Sequence, residues 1–226
     1  MTRILALDTS SDAGSVALWC DGEVLEDFQL LPRQQAQALL PQIKKLLADA
    51  GTELSQLDAL AYGRGPGSFT GLRIAAASIQ GLALALDRPV IPVSTLQSIA
   101  WSTHQQYFAK KVLTLLDARM DEVYWCAWQW QDQQPVALMA EMLSQPEAVM
   151  LNKLDDQDWV LAGSGAVFVE RLPPVLRSCI QQELPEIRPA AGAMAHLAAQ
   201  IWQAGGAVDA AEAQAVYLRD KVTHGS

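Results

Sequence analysis

The chain has 226 residues, half of them apolar, which is enough to bury the core of one large domain or of two small ones. Its formal net charge of −9 excludes the clustered basic surface with which nucleic-acid-binding chains contact phosphates. Three widely spaced cysteines without a C-x-x-C pattern, and an N-terminus without an apolar leader, predict a reduced cytoplasmic protein with no disulfide frame.

The first half of the chain predicts the element order β-β-β-α-β-α-β. Apolar runs over residues 4–7, 15–19 and 24–30 are typical of three strands, and Asp21-Gly22 predicts a hairpin between the last two. Residues 34–50 have the apolar spacing of an amphipathic helix that ends at Gly51, and Pro41 should kink it or start a new turn. A strand over residues 57–62, a helix over Phe69–Leu86 and a strand over residues 90–93 complete this half. The most apolar run, residues 74–86, is about 13 residues long and too short to span a bilayer, so no membrane partner is predicted.

The second half predicts a related order of elements. Strands are predicted over residues 112–117, 123–130, 136–143 and 159–162, and helices over residues 146–151, 166–171, 194–203 and 210–216. Both halves begin with a strand that ends in an aspartate, Asp8 or Asp117, and continue with a hairpin, which predicts a duplicated β-β-β-α-β-α unit. Polar residues around positions 103–111 suggest the boundary. We therefore predict lobes over residues 1–103 and 104–206, and a C-terminal helix and tail over residues 207–226, with packing back on the first lobe as one option.

A glycine-rich segment, Gly63-Arg64-Gly65-Pro66-Gly67-Ser68-Phe69-Thr70-Gly71-Leu72-Arg73, joins the fourth strand to the second helix. One interpretation is a phosphate cradle at the helix N-terminus, because exposed backbone N–H groups and the helix dipole favour an anion there. The residues of such a cradle would be Gly65, Gly67, Ser68, Gly71 and Arg73. The other interpretation is a strand-to-helix turn in which the glycines supply positive φ angles and the proline stiffens the corner. The segment has neither the Gly-Lys-Ser/Thr ending of a P-loop nor the acid of a dinucleotide fingerprint on the next strand.

The helix over Phe69–Leu86 predicts a binding surface. Its apolar side chains surround the helix axis, and Ala77, Gly81 and Ala85 form a row of small residues at spacing four, which lets another helix approach closely. Deep burial in one domain is the alternative, although a lobe of about 100 residues has little interior for burial on two sides. With the helix over residues 34–50, this helix predicts a four-helix interface between two chains. The predicted interface residues are Leu39, Ile43, Leu46, Leu47, Leu72, Ala75, Ile79 and Leu82.

Five motifs, in their order along almost the whole chain, resemble the bacterial TsaB (YeaZ) family. They are Ile4-Leu5-Ala6-Leu7-Asp8-Thr9-Ser10, the glycine-rich segment, Pro92-Val93-Ser94-Thr95-Leu96, Asp117-Ala118-Arg119-Met120-Asp121-Glu122-Val123-Tyr124 and Val216-Tyr217-Leu218-Arg219. The resemblance implies an α/β, two-lobed actin/Hsp70-like (ASKHA) ATPase-type fold. It also implies a role in forming N6-threonylcarbamoyladenosine in tRNA beside the anticodon, as the non-catalytic partner of the paralogue TsaD, with the small ATPase TsaE.

The same resemblance implies which sites the chain has and lacks. The catalytic relative holds a metal through a His-x-x-x-His pair, whose places fall near Thr95 and Ile99, and His104 stands alone. We therefore predict no metal site and no catalysis by the chain alone. Asp8 and Thr9 lie where actin-like ATPases keep a carboxylate and a hydroxyl for the metal-bound nucleotide, which leaves ADP or ATP as an optional ligand.

The predicted partners are TsaD in a heterodimer, TsaE in a ternary complex and a second copy of this chain when TsaD is absent. tRNA is reached only through the complex. Charged substitutions at Ile79 or Leu82 are expected to abolish both pairings while the monomer stays folded. The alternative function is a stand-alone ATPase or kinase that uses Asp8, residues 65–71 and Asp117.

Overall fold

The computed structural model describes residues 1–151 and 158–219, so His224 and the predicted tail beyond residue 219 lie outside the described part. Eleven strands and five α-helices fill these ranges. The strands are β1 (Arg3–Asp8), β2 (Ala13–Cys20), β3 (Glu23–Leu30), β4 (Ala59–Gly65), β5 (Val90–Ser94), β6 (Lys111–Arg119), β7 (Glu122–Gln131), β8 (Gln134–Ala137), β9 (Met142–Ser144), β10 (Trp159–Ala162) and β11 (Ile180–Leu184). The helices are α1 (Gln35–Asp49), α2 (Phe69–Leu86), α3 (Thr95–Tyr107), α4 (Pro174–Arg177) and α5 (Ala191–Gln203).

The first sheet has the strand order β3-β2-β1-β4-β5. The strands β1 to β3 pair antiparallel, whereas β4 and β5 join them in parallel through helical crossovers. α1 and α2 cover one face of this sheet, where Leu5, Leu7 and Leu60 meet Ile43 and Ile79. α5 covers the other face, and its alanine-rich surface allows a close approach to the sheet.

The second sheet repeats this arrangement with the order β11-β10-β6-β7-β8, and β9 adds to β7. Here β6, β7 and β8 are antiparallel, while β10 and β11 extend the sheet in parallel. α3 covers one face through Leu96, Ile99 and Ala100, which pack on Val112 and Trp128. Two sheets with the same strand pattern and helices on their faces confirm the predicted two-lobed actin/Hsp70-like α/β fold.

Helices are exchanged between the two halves of the chain. α3 follows directly on β5 of the first sheet but packs on β6, β7 and β8 of the second, whereas α5 from the second half packs on β1 and β2. The predicted boundary after residue 103 falls inside α3, so a cut there would divide a helix that the second sheet needs.

Several predicted elements in the second half differ from the structure in extent or in type. The predicted strand over residues 136–143 is two short strands, β8 and β9, separated by a bend. The helices predicted over residues 146–151 and 166–171 are 3-10 turns at Pro146–Ala148 and Ser164–Arg171. The helix predicted over residues 210–216 is a single 3-10 turn at Ala210–Glu212, followed by chain without regular secondary structure.

Candidate functional site

The glycine-rich segment packs against the turn that follows β1. A Cβ atom added to Gly67 would lie 2.6 Å from the Ser10 carbonyl oxygen, and one added to Gly71 would overlap the Thr9 carbonyl oxygen. The Ser68 N–H donates a hydrogen bond of 2.7 Å to the Ser10 carbonyl oxygen. These glycines therefore stand where two stretches of protein backbone touch.

The N-terminus of α2 is capped by the protein itself. The Ser68 hydroxyl accepts the Gly71 N–H at 3.4 Å, and the Thr9 hydroxyl donates to the Gly71 carbonyl oxygen at 2.7 Å. An anion at this helix end would have to displace the Ser10 carbonyl and part of this cap. The geometry thus favours the strand-to-helix turn over the phosphate cradle, and these residues do not fit a bound phosphate as they stand.

Gly65, the third predicted cradle glycine, lies under the C-terminal segment. Its φ angle of 111° is in the region that favours glycine, and a Cβ atom there would lie 2.8 Å from the Val216 carbonyl oxygen. The Val216 N–H donates to the Arg64 carbonyl oxygen at 2.7 Å. The segment after α5 therefore covers this corner of the loop.

Asp8 is buried at the end of β1. One carboxylate oxygen accepts the Ser10 N–H at 3.1 Å and the Ser10 hydroxyl at 2.9 Å, whereas the other has no partner among the described residues. That second oxygen lies beside Gly63, where an added Cβ atom would overlap it and would be 2.9 Å and 3.1 Å from the methyl groups of Met194 and Thr95. Desolvation raises the pKa of Asp8 to about 6 in spite of the Ser10 hydrogen bonds. A carboxylate that is this enclosed is not open to a metal-bound nucleotide.

Arg73 does not line the glycine loop. Its guanidinium lies 3.8 Å from the centroid of the Phe69 ring, on the exposed side of α2. The Phe69 ring in turn contacts the Tyr217 ring, with 5.4 Å between centroids. Arg73 therefore belongs to a surface cluster with Phe69 and Tyr217.

The extended C-terminal segment ties the lobes together. Val208 forms a β-bridge with Val90, and the carbonyl oxygens of Ala213 and Gln214 accept hydrogen bonds from side chains of the first lobe. At its far end, Arg219 forms an ion pair with Glu122 on the second sheet. The order of contacts along the segment thus runs from one lobe to the other.

A second link between the lobes was not predicted. The Arg64 guanidinium is 3.1 Å from a Glu141 carboxylate oxygen, and the Ser94 hydroxyl donates to the same carboxylate. These three residues line a cavity of about 500 Å³ together with Gln97 and Trp128. No local pattern in the sequence could have paired them, because Arg64 and Glu141 are 77 positions apart.

Most of the predicted interface residues are core residues. Seven of the eight side chains are almost fully buried against the first sheet, and the prediction that they face a partner is wrong. They are Leu39, Ile43, Leu46, Leu47, Leu72, Ala75 and Ile79. Leu82 is partly buried in the same cluster.

The opposite face of α2 is exposed. Ala77, Gly81 and Ala85, the predicted small-residue row, lie on this face beside Leu84, which is 73% exposed. Nothing lies within 4 Å of a Cβ atom added to Gly81. The helix therefore presents an apolar strip with a shallow centre, which we call the α2 strip (Ala77, Gly81, Leu84 and Ala85).

By length and composition alone, α2 could cross a membrane, since the whole helix has 18 residues and its apolar character extends beyond residues 74–86. Its buried side packs on the first sheet through residues such as Ala75 and Ile79. A helix that covers a sheet shares these properties with a membrane span, so one such helix is weak evidence for a span.

Thr95 and Ile99, near which the resemblance places the metal ligands of the catalytic relative, are buried in this chain. The Thr95 hydroxyl donates to the Pro66 carbonyl oxygen, and Ile99 is in the core under the second sheet. His104 stacks on Trp130 and His196 on Trp101, so both rings take part in aromatic packing. Residues 1–151 and 158–219 contain no group of three potential metal ligands from His, Cys, Asp and Glu.

Known proteins resemble the chain over nearly its whole length. Residues 29–217 match the family model described as "TsaD: tRNA N6-adenosine threonylcarbamoyltransferase". The tRNA threonylcarbamoyladenosine biosynthesis protein TsaB of Escherichia coli (strain K12) is 39% identical, with 97% of this chain and 96% of that protein covered. The protein of the same name from Haemophilus influenzae is 35% identical over 97% of this chain and 94% of its own. The solved structure of YeaZ from Pseudomonas aeruginosa is 42% identical, with a TM-score of 0.91, and covers 96% of this chain and 100% of that one.

Proposed function

The chain belongs to the TsaB (YeaZ) family of tRNA threonylcarbamoyladenosine biosynthesis proteins, and we propose from this premise that it is a non-catalytic scaffold of that pathway. In this proposal it binds TsaD through α2 and favours the TsaD conformation that transfers the threonylcarbamoyl group to adenosine. The family relation places the chain in the tRNA modification machinery. The scaffold role and the partner are the proposal.

The observation that carries the proposal is the α2 strip. Three small residues at spacing four leave a groove along an exposed helix, and ridges of a second helix fit such a groove at a short interaxial distance. Leu84 stands beside the groove with 73% of its side chain exposed, although its full burial would stabilise a complex by roughly 2 kcal/mol. We therefore assign the partner interface to the exposed side of α2, opposite the buried residues that the sequence had predicted for it.

A role without catalysis agrees with the chemistry of the described residues. Asp8 is enclosed, the glycine loop holds protein backbone, and the positions near Thr95 and Ile99 offer no imidazole. The metal, the activated intermediate and the tRNA contacts would then come from TsaD and the other partners. With a net charge of −9, the chain itself is a poor surface for tRNA.

Further partners follow from the same surface. We include a second copy of the chain as the occupant of the α2 strip when TsaD is absent, because two identical grooves can pack about a twofold axis. TsaE joins in the ternary complex, and the assembly works in the cytoplasm. ADP or ATP is not required by this chain.

The test is a pair of substitutions on the α2 strip, Gly81→Arg and Leu84→Arg, with Val175→Arg on exposed α4 as the matched control. Circular dichroism should show that each strip variant stays folded. Light scattering should show that these variants lose the complex with TsaD, while the control keeps it. Reconstitution with TsaD, TsaE and the threonylcarbamoyl-AMP synthase should then yield modified tRNA only with the wild type and the control. Wild-type pairing by Leu84→Arg and Gly81→Arg would refute the proposal.

A second assay distinguishes the scaffold from the rival function, a stand-alone ATPase or kinase. Steady ATP turnover by the purified chain, lost in Asp8→Asn, would favour the rival. The enclosure of Asp8 leads us to expect no turnover in either protein.

A further inference from the structure

Strand β3 forms the outer edge of the first sheet and is unusually open. It pairs with β2 over eight residues without a bulge, and its backbone has no other hydrogen-bond partner within residues 1–151 and 158–219. The strand reads EVLEDFQL, with no proline, lysine or arginine. Of the common protections of sheet edges, β3 lacks bulges, prolines and lysines, and its charged residues are all acidic.

Alternate residues of β3 direct their backbone groups away from the sheet. A two-residue turn, Asp21-Gly22, joins β2 to β3, so the closing pair Cys20–Glu23 exchanges both hydrogen bonds. The N–H and C=O groups of Val24, Glu26, Phe28 and Leu30 therefore point outward. This row can accept a further antiparallel strand.

The side chains of β3 are apolar and acidic. Leu25, Phe28 and Leu30 are exposed by 43%, 41% and 61%, which makes β3 a concentrated source of exposed apolar area. Glu23 and Asp27 lie on the same face as Leu25, two positions to either side of it. A strand laid against this edge would meet an apolar side chain between two carboxylates.

A second copy of β3 fits this edge poorly. In an antiparallel pair, residues whose N–H and C=O groups point outward must lie opposite residues of the same kind on the other copy. Two symmetric registers meet this condition and pair seven residues of each strand. One of these registers places Glu26 opposite Glu26 of the other copy, and the other places Asp27 opposite Asp27. Like charges directly opposite each other destabilise a pair of strands.

We propose that the free edge of β3 binds an extended basic segment of a partner protein by antiparallel strand addition. The segment has the pattern cation-x-apolar-x-cation, so that its cations lie opposite Asp27 and Glu23 and its apolar residue lies opposite Leu25. This surface is separate from the α2 strip, and the inference does not depend on the scaffold function.

The probe is the capped synthetic peptide Thr-Val-Lys-Thr-Leu-Val-Lys, which matches β3 from Gln29 back to Glu23. Fluorescence anisotropy should show binding to the full chain about tenfold tighter than binding of the same peptide with glutamate in place of both lysines. Reversing the protein charges with Glu23→Lys and Asp27→Lys should reverse that preference. The variant Leu84→Arg should bind the peptide like the wild type, which separates this result from any failure of the scaffold proposal.

N-methylation distinguishes strand addition from simple charge attraction. Methyl groups on the peptide nitrogens at positions 2, 4 and 6, which face β3, should abolish binding, whereas methyl groups at positions 3 and 5 should leave it within threefold. Absence of binding by the lysine peptide would overturn the proposal. Equal affinity for the lysine and glutamate peptides, or insensitivity to methylation at positions 2, 4 and 6, would overturn it as well.

Discussion

The buried carboxyl of Asp8 should make the stability of the protein fall as pH rises. Its pKa is raised from the ordinary value of 3.8 to about 6 because burial desolvates the charged form. In the unfolded chain the group ionises near 3.8, so the folded state binds the proton more tightly between these two values. The native state therefore loses stability as pH rises through this window.

The size of the effect follows from the two pKa values. Each pKa unit corresponds to about 1.4 kcal/mol, so ionisation of Asp8 costs the folded state ~3 kcal/mol above pH 7. About half of that cost should already be present at pH 5, because the unfolded chain is then ionised and the folded chain is not. Asp8→Asn removes the titration and should keep the acceptor contacts with Ser10.

The assay is urea unfolding followed by fluorescence of the seven tryptophans at a series of pH values from 4 to 8. The free energy of unfolding of Asp8→Asn minus that of the wild type should increase by about 2–3 kcal/mol across this range. Glu26→Gln is the comparison variant for the contribution of the second buried acid. Burial also raises the pKa of Glu26, and the charge of Glu26 acts on Asp8. A flat difference, or one that decreases with pH, would refute the reasoning.

Three further predictions concern packing. Gly71→Ala should destabilise the protein by about 2 kcal/mol or more in thermal or urea unfolding, because its Cβ would overlap the Thr9 carbonyl, whereas Gly81→Ala in open space should stabilise it by about 0.5–1 kcal/mol. Equal effects of these two substitutions would contradict the assignment of Gly71 to a backbone contact. Ile79→Ala should cost about 2–5 kcal/mol of monomer stability, because Ile79 is fully buried, and a charged residue there should unfold the monomer instead of only separating partners. Native Cys126 should resist alkylation at pH 8, since burial raises the pKa of its thiol to about 12, and half-buried Cys20 should be labelled first in a mass-spectrometric time course.

Local patterns were sufficient for the five strands of the first sheet and for α1 and α2. The helix predicted over Phe69–Leu86 has these bounds in the structure because Ser68 caps its start and Asp87 ends it in a left-handed conformation. α3 was missed because its buried side carries hydroxyl groups, which break the apolar pattern. Ser98 and Thr103 satisfy these groups by donating to the carbonyl oxygens of Thr95 and Ile99 in the same helix.

The side of α2 that faces solvent could not be predicted from periodicity. A helix with apolar residues all round gives the same pattern whichever side meets the sheet, and only the packing of β1 and β4 beneath it decides. The prediction of a helix over residues 210–216 was wrong for a related reason. Its alanines favour a helix locally, but the carbonyl oxygens of Ala213 and Gln214 accept hydrogen bonds from Gln80 and Tyr62 of the first lobe instead.

The geometry of α2 depends on the turn that Asp8 orders. Asp8 holds Ser10 through two hydrogen bonds, the Ser10 carbonyl oxygen holds the Ser68 N–H, and Ser68 caps the helix that presents the α2 strip. A carboxylate that costs stability at neutral pH thus lies at the start of the contacts that position the proposed interface. Because asparagine offers the same acceptor to Ser10, Asp8→Asn should keep both the orientation of α2 and the affinity for TsaD. If this variant bound TsaD normally but failed to support tRNA modification, the charge of Asp8 would have a function beyond positioning the helix, and a purely structural account of the turn would be wrong.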